Sequence, residues 1–188
     1  MMNERDIVRG CKRGAQSAQR ELFDRYSPHL MAVIYRYVSN DDDANDVLQD
    51  TFITVFSTIH HFNWEGEGSL KAWITRIAVN KSLNHLRRVK RLKVTTMPVE
   101  SLGDTPDDEP IIEQDVNTID VSTIMQMISE LPDGYRTVFN LYCLDGYSHQ
   151  EIAQQLGISE KTSSSQLARA KALLARKITA FINEQNNR

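Results

Sequence analysis

The sequence has little of what would carry it out of a reducing cytoplasm. Its two cysteines, Cys11 and Cys143, lie far apart without metal-ligand spacing, which excludes a disulfide scaffold and a cysteine-built metal centre. Nothing in the first thirty residues reads as a secretory signal. No apolar run approaches the roughly 20 residues that cross a bilayer, so a soluble cytoplasmic protein without membrane insertion is expected. Internal repeats and low-complexity tracts are absent. Positive charge is not in excess either: 22 Lys and Arg stand against 25 Asp and Glu, a net −3 that argues against nucleic-acid binding until it is divided along the chain.

That division is uneven. Lys93 to Thr123 holds eight acidic residues against one lysine, a local −7 that leaves +4 on the remainder. The same stretch contains Pro98, Pro106 and Pro110 and no sustained helical period, so residues 93–123 are expected to form a flexible acidic linker. The expected fold is all-α, with two small helical domains, 1–92 and 124–188, joined by that linker. Two Trp, six Phe and six Tyr suit two modest cores.

In the first half, Leu22, Phe23, Tyr26, Leu30, Val33, Ile34 and Tyr37 recur at helical steps, with a kink expected near Pro28. Asp41, Asp42 and Asp43 offer N-cap chemistry to a second helix through Val47, Leu48, Phe52, Val55, Phe56 and Ile59. A Gly-containing break, Asn63 to Ser69, precedes a third helix through Trp73, Ile74, Ile77, Ala78, Leu83 and Leu86. Three long helices with short joints predict a bundle. In the second half, Ile124, Met127, Ile128 and Leu131 lead to Pro132-Asp133-Gly134, and Tyr135, Val138, Phe139 and Tyr142 form the next apolar face.

The segment SHQEIAQQLGISEKTSSSQLARAKALL then has the order of a helix-turn-helix. Ser148 and Glu151 make a capping box, Ala153 is the small residue at the crossing, Gly157 takes the turn, and Ser159 caps the second helix. The start of that second helix would face a major groove with Lys161, Thr162, Ser163, Ser164, Gln166, Arg169 and Lys171. Arg169 and Gln166 suit base edges, and Lys161, Lys171 and the hydroxyls suit phosphates. An ordinary helical hairpin with a solvated polar face is the plainer alternative, but cap, alanine, glycine and second cap all agree against it.

A helix-turn-helix alone permits many regulators, so the first half must discriminate. There Asp46, Gln49, Asp50 and Thr54 lie beside an apolar row. Trp64, Trp73, Asn80 and Asn84 are interleaved with Lys71, Arg76, Lys81, Arg87 and Arg88. Aromatic rings, amides and cations in such proximity suit single-stranded DNA, whose bases stack, bond at their edges and carry phosphates. Trp73 equally suits a core position. The run Arg87-Arg88-Val89-Lys90-Arg91 suits backbone contact.

The order of these pieces resembles the extracytoplasmic-function (ECF) group of sigma factors in the sigma-70 family. DANDVLQDTFITVF is similar to region 2.2, which binds the coiled coil of the RNA polymerase β′ subunit. GSLKAWITRIAVNKSLNHLRR is similar to regions 2.3 and 2.4, which open the −10 element, and LPDGYRTVFNLYCLDGYSHQEIAQQLGISEKTSSSQLARAKALL to region 4, which reads the −35 element.

The resemblance implies an alternative sigma factor without catalysis or cofactor. Its partners would be the β′ and β subunits of core polymerase, promoter DNA (single-stranded at −10, duplex at −35) and an anti-sigma factor. Asp46, Gln49, Asp50 and Phe52 match the core-binding helix, and Asn80 the R-I-A-x-N motif. The loop from Trp64 to Ser69, with Gly66, matches the one that captures a flipped −10 base, and Lys161 to Lys171 the −35 recognition helix. Lys161 stands where Gly is usual, Ser163 where Val is usual, and Ser164 and Gln166 where basic residues are common. The rival reading, a ligand-sensing regulator, lacks a recognisable phosphoacceptor or ligand pocket. An enzyme built on Asp41 to Asp43 or His60-His61 lacks spaced partners.

Overall fold

The computed structural model describes residues 2–38, 40–92 and 119–186. The chain divides into two compact units, Met1–Thr96 and Met97–Arg188. Most of the expected acidic linker, residues 93–118, lies outside the described residues. Those described form helices and turns only, and no helix among them is long and apolar enough to cross a membrane.

The first unit opens with a helix that the apolar pattern from Leu22 onward does not include, α1, Glu4–Lys12. Asn3 caps it by accepting from the Asp6 amide at 2.8 Å, and acidic Glu4 and Asp6 at its start and basic Arg9 and Lys12 at its end complement its dipole. Ile7, Val8 and Cys11 face inward. A Cβ at Gly10 would collide with that of Ala18 on α2, Gln16–Tyr35, so the two helices cross almost backbone to backbone. Helix α2 runs through Pro28, which is exposed, and buries Leu22, Tyr26, Leu30, Val33 and Ile34.

The cap of α3, Asp41–Thr58, is Asn40, which accepts from the Asp43 amide at 3.0 Å. The three aspartates expected as caps occupy the first turn instead, where the helix dipole favours negative charge. A 3-10 turn, Ile59–His61, buries Ile59 and leads to α4, Ser69–Leu92. Leu70, Ile74, Ala78, Val79 and Leu83 of α4 are inside. Each large aliphatic chain enclosed here stabilises the fold by about 1.5–3 kcal/mol. Trp73 stacks on Phe62 with ring centroids 4.8 Å apart, the core side of its two readings.

The second unit begins earlier than the apolar pattern indicates. Asp120 caps α5, Val121–Ser129, and Ile119 is already buried with Met127, Ile128, Leu174 and Ile178, so residues 119–123, expected in the linker, supply a core residue, the cap and the first turn of this unit. After α6, Asp133–Phe139, the chain winds into a π-helical turn, Asn140–Leu144, marked by the Asp145 amide donating to the Asn140 carbonyl at 3.0 Å. The extra residue per turn brings Leu141 fully inside and leaves Tyr142, expected on the apolar face, 40% exposed. Gly146, at φ +72°, turns the chain into α7, His149–Leu156, and α8, Glu160–Asn186, completes the unit.

Candidate nucleic-acid interface

Helices α7 and α8 form the expected helix-turn-helix. The Glu151 amide donates to Ser148 Oγ at 3.2 Å, and the Ser148 amide donates to Glu151 Oε2 at 3.0 Å. Gly157 ends α7 at φ +68°, a conformation other residues adopt only with strain, and Ser159 Oγ accepts from the Thr162 amide at 3.0 Å. Ile152 and Leu167 are buried in this unit. On the first turns of α8, Lys161, Ser164, Arg169 and Lys171 are exposed. Thr162 and Gln166 are half-buried, the Gln166 amide lying over Gly134. Arg169 reaches Tyr135 Oη only at 3.5 Å, a contact too long to hold it.

Ser163 is the exception. It is fully buried and its hydroxyl lies 2.9 Å from Nδ1 of His149, whose ring stacks on Tyr142. Its place in the expected DNA-facing set is corrected: in the first turn of α8 its side chain points into the crossing with α7.

On α3, Asp46, Gln49 and Asp50 are exposed at helical steps on one face. Ile53 extends that stripe by another turn and is 66% exposed, an apolar residue that polarity-based reading passed over. Phe52 is corrected as well. It is 4% exposed and packs between Phe23 and Phe56, with ring centroids at 4.7 and 5.9 Å, so it supports the helix from beneath.

The segment from Trp64 to Ser69 is a tight loop. Gly66 and Gly68 have φ of +128° and +90°, and Ser69 Oγ donates to the Gly66 carbonyl at 2.6 Å. The half-buried Trp64 carries the Arg5 guanidinium 5.5 Å from its ring centroid. Glu4, 2% exposed, accepts from the amides of Gly68 at 2.6 Å and Lys71 at 3.2 Å. The Tyr26 hydroxyl lies 3.4 Å from the same carboxylate, and burial, then the Glu4 charge, push the phenol above its ordinary range. A glutamate at a helix start reads as a dipole partner of its own helix, so sequence alone did not signal this reach across the fold.

Arg76, Asn80, Asn84 and Arg87 fall along one stripe of α4, with Arg88 and the half-buried Lys81 beside it. Lys71, in the first turn, projects from a different side. Two atoms here are buried and lack a hydrogen-bond partner among the described residues: Trp64 Nε1 and Asn80 Oδ1. An unpaired buried polar group costs about 1–3 kcal/mol, so each calls for a partner such as a water or a ligand.

Comparison with known proteins matches residues 22–92 to sigma-70 region 2 and residues 122–174 to sigma-70 region 4. The ECF RNA polymerase sigma-E factor of Haemophilus influenzae is 26% identical over 94% of this chain and 96% of its own length. In fold, the chain resembles CnrH, solved in complex with the cytosolic domain of CnrY, with a TM-score of 0.51 and 24% identity over 94% of this chain and 97% of that one. It also resembles the sigma factor RpoE of Bartonella quintana, solved with the anti-sigma factor NepR, with a TM-score of 0.50 and 21% identity over 86% of this chain and 96% of that one. Region 2 followed by region 4, with an ECF relative aligned along nearly the whole length, makes this chain a member of the sigma-70 family, an ECF RNA polymerase sigma factor.

Proposed function

We propose that the first unit holds core RNA polymerase and captures the opened −10 strand while the second reads the −35 duplex, in the cytoplasm and without catalysis. Asp46, Gln49 and Asp50 present the polymerase-binding face, with Phe52 as its internal support. Trp64, Gly66 and Asn80 receive unstacked bases, and Arg76, Lys81, Asn84, Arg87 and Arg88 carry the backbone, with Lys71 at the edge. On α8, Arg169 and Gln166 read base edges while Lys161, Thr162, Ser164 and Lys171 hold phosphates. The observation that carries this reading is the pair of orphaned buried atoms, Trp64 Nε1 and Asn80 Oδ1, on two residues suited to base contact. Capture of unstacked bases supplies the free energy of melting, so no ATP is required. An anti-sigma factor, as in the NepR complex, is the regulatory partner expected.

The test is reconstitution with core polymerase. Specific promoter binding should appear only in the holoenzyme, because +4 outside the acidic segment is a weak electrostatic footprint for two DNA-binding units. Tight sequence-specific binding by the chain alone would overturn the reading in favour of a conventional regulator.

A further inference from the structure

Helix α1 lies ahead of the segment that matches region 2, yet two of its residues hold both ends of the Trp64–Ser69 loop. Glu4 sits inside the unit and takes the amides of Gly68 and Lys71, one on each carboxylate oxygen. Arg5, the next residue, is exposed and lays its guanidinium over the Trp64 ring at 5.5 Å. The loop itself contains two positive-φ glycines, whose freedom would otherwise let it sample many shapes. We propose that Glu4 and Arg5 are positioning residues that preshape this loop for the −10 base, Glu4 by fixing where the loop enters α4 and Arg5 by fixing the Trp64 ring.

The proposal rests on the reading of the loop as the base receiver. Preorganisation favours the correct base over others because a loose loop adapts to each at similar cost. Loss of the clamp should therefore change discrimination between bases more than total affinity. A direct phosphate contact by Arg5 would do the reverse, weakening every sequence alike.

The experiment uses holoenzyme assembled from the full chain and core polymerase, presented with a randomised single-stranded DNA pool. The most enriched oligonucleotide is then titrated against its single-base substitutions. Arg5→Ala, at an exposed position, should fold and bind core as wild type does but lower the preferred-to-substituted affinity ratio roughly fivefold, in keeping with a moderate cation–π contact. Arg5→Lys should restore part of the ratio, and Glu4→Gln, which keeps one acceptor and the side-chain shape, should lower it. An unchanged ratio in Arg5→Ala and Glu4→Gln, or an equal loss for every sequence, overturns the proposal. Trp64→Ala separates the two layers. If it flattens the ratio while the α1 variants do not, only the role of α1 falls; if it keeps the ratio, the loop is not the reader and both fall.

Discussion

The Ser163 hydroxyl and the His149 ring meet at 2.9 Å where α7 and α8 cross, one residue from each side of the helix-turn-helix. Ser163→Ala should lower the stability of the second unit by about 0.5–1.5 kcal/mol, the net worth of one buried hydrogen bond. The −35 base preference should not change. Circular dichroism during urea unfolding reads the first effect, with tryptophan fluorescence separating the first unit, which holds both tryptophans. Selection from a duplex library reads the second, and a shifted preference would mean that the side chain reaches DNA.

The two DNA elements should fail at different steps. Arg169→Ala is expected to weaken closed complexes by roughly 1–3 kcal/mol if its contact is bidentate. Asn80→Ala should spare closed complexes and reduce open ones, and a pre-melted bubble of unchanged sequence should not fully rescue it. Permanganate footprinting on linear and bubble templates separates these outcomes. The same step lost in the same proportion by both variants would contradict separate roles.

Asp50 and Phe52 are two residues apart but face opposite ways. Asp50→Arg should abolish core polymerase binding in a folded protein, since its side chain is exposed on the α3 stripe. Phe52→Ala should instead destabilise the first unit by about 3–5 kcal/mol, and Phe52→Leu should keep polymerase binding. Pull-down beside thermal unfolding distinguishes contact from support. Normal binding by folded Asp50→Arg would remove α3 from the polymerase interface.

Acid should loosen α5 first. The Ser122 hydroxyl, then the Thr123 hydroxyl and amide, hold the Asp120 carboxyl well below the usual carboxylate range. The Lys177 ammonium, 2.6 Å away, lowers that of Glu130 at the other end of the helix. A carboxyl depressed in the folded state contributes stability above its unfolded pKa of about 4 and loses it as pH falls through the folded value. Protection of the Thr123 amide from hydrogen exchange should therefore decline on acidification below about pH 4. Asp120→Asn, which still caps but does not titrate, should flatten the decline.

The helix-turn-helix was legible because each of its parts is a local device: a reciprocal cap at Ser148 and Glu151, a left-handed Gly157, and a second cap at Ser159. What escaped was set by distance or by register. Helix α1 is only nine residues long, although Asn3, the charge order along it and the Ile7-Val8-Cys11 spacing do mark it in retrospect. Glu4 binds residues more than sixty positions away, which no local pattern encodes. Tyr142 was misplaced because a constant helical period was carried through Asn140–Leu144, where the winding widens. Ser163 was placed on the DNA-facing surface by proximity to polar neighbours, and Phe52, though in the apolar row of its helix, was assigned a polymerase contact by family correspondence; both side chains are buried.

Helix α8 spans 27 residues, its first turns bearing Lys161 and Arg169 and its later ones Leu174 and Ile178, which pack with Ile119. At 1.5 Å per residue it is a rod of about 40 Å. The exposed first turns, proposed to meet DNA, and the middle turns that pack with Ile119 are therefore one mechanical part. A displacement at Ile119 would run along the same rod that carries Lys161 and Arg169, so on the proposed reading the packing of α5 and the aim of those side chains depend on a single beam.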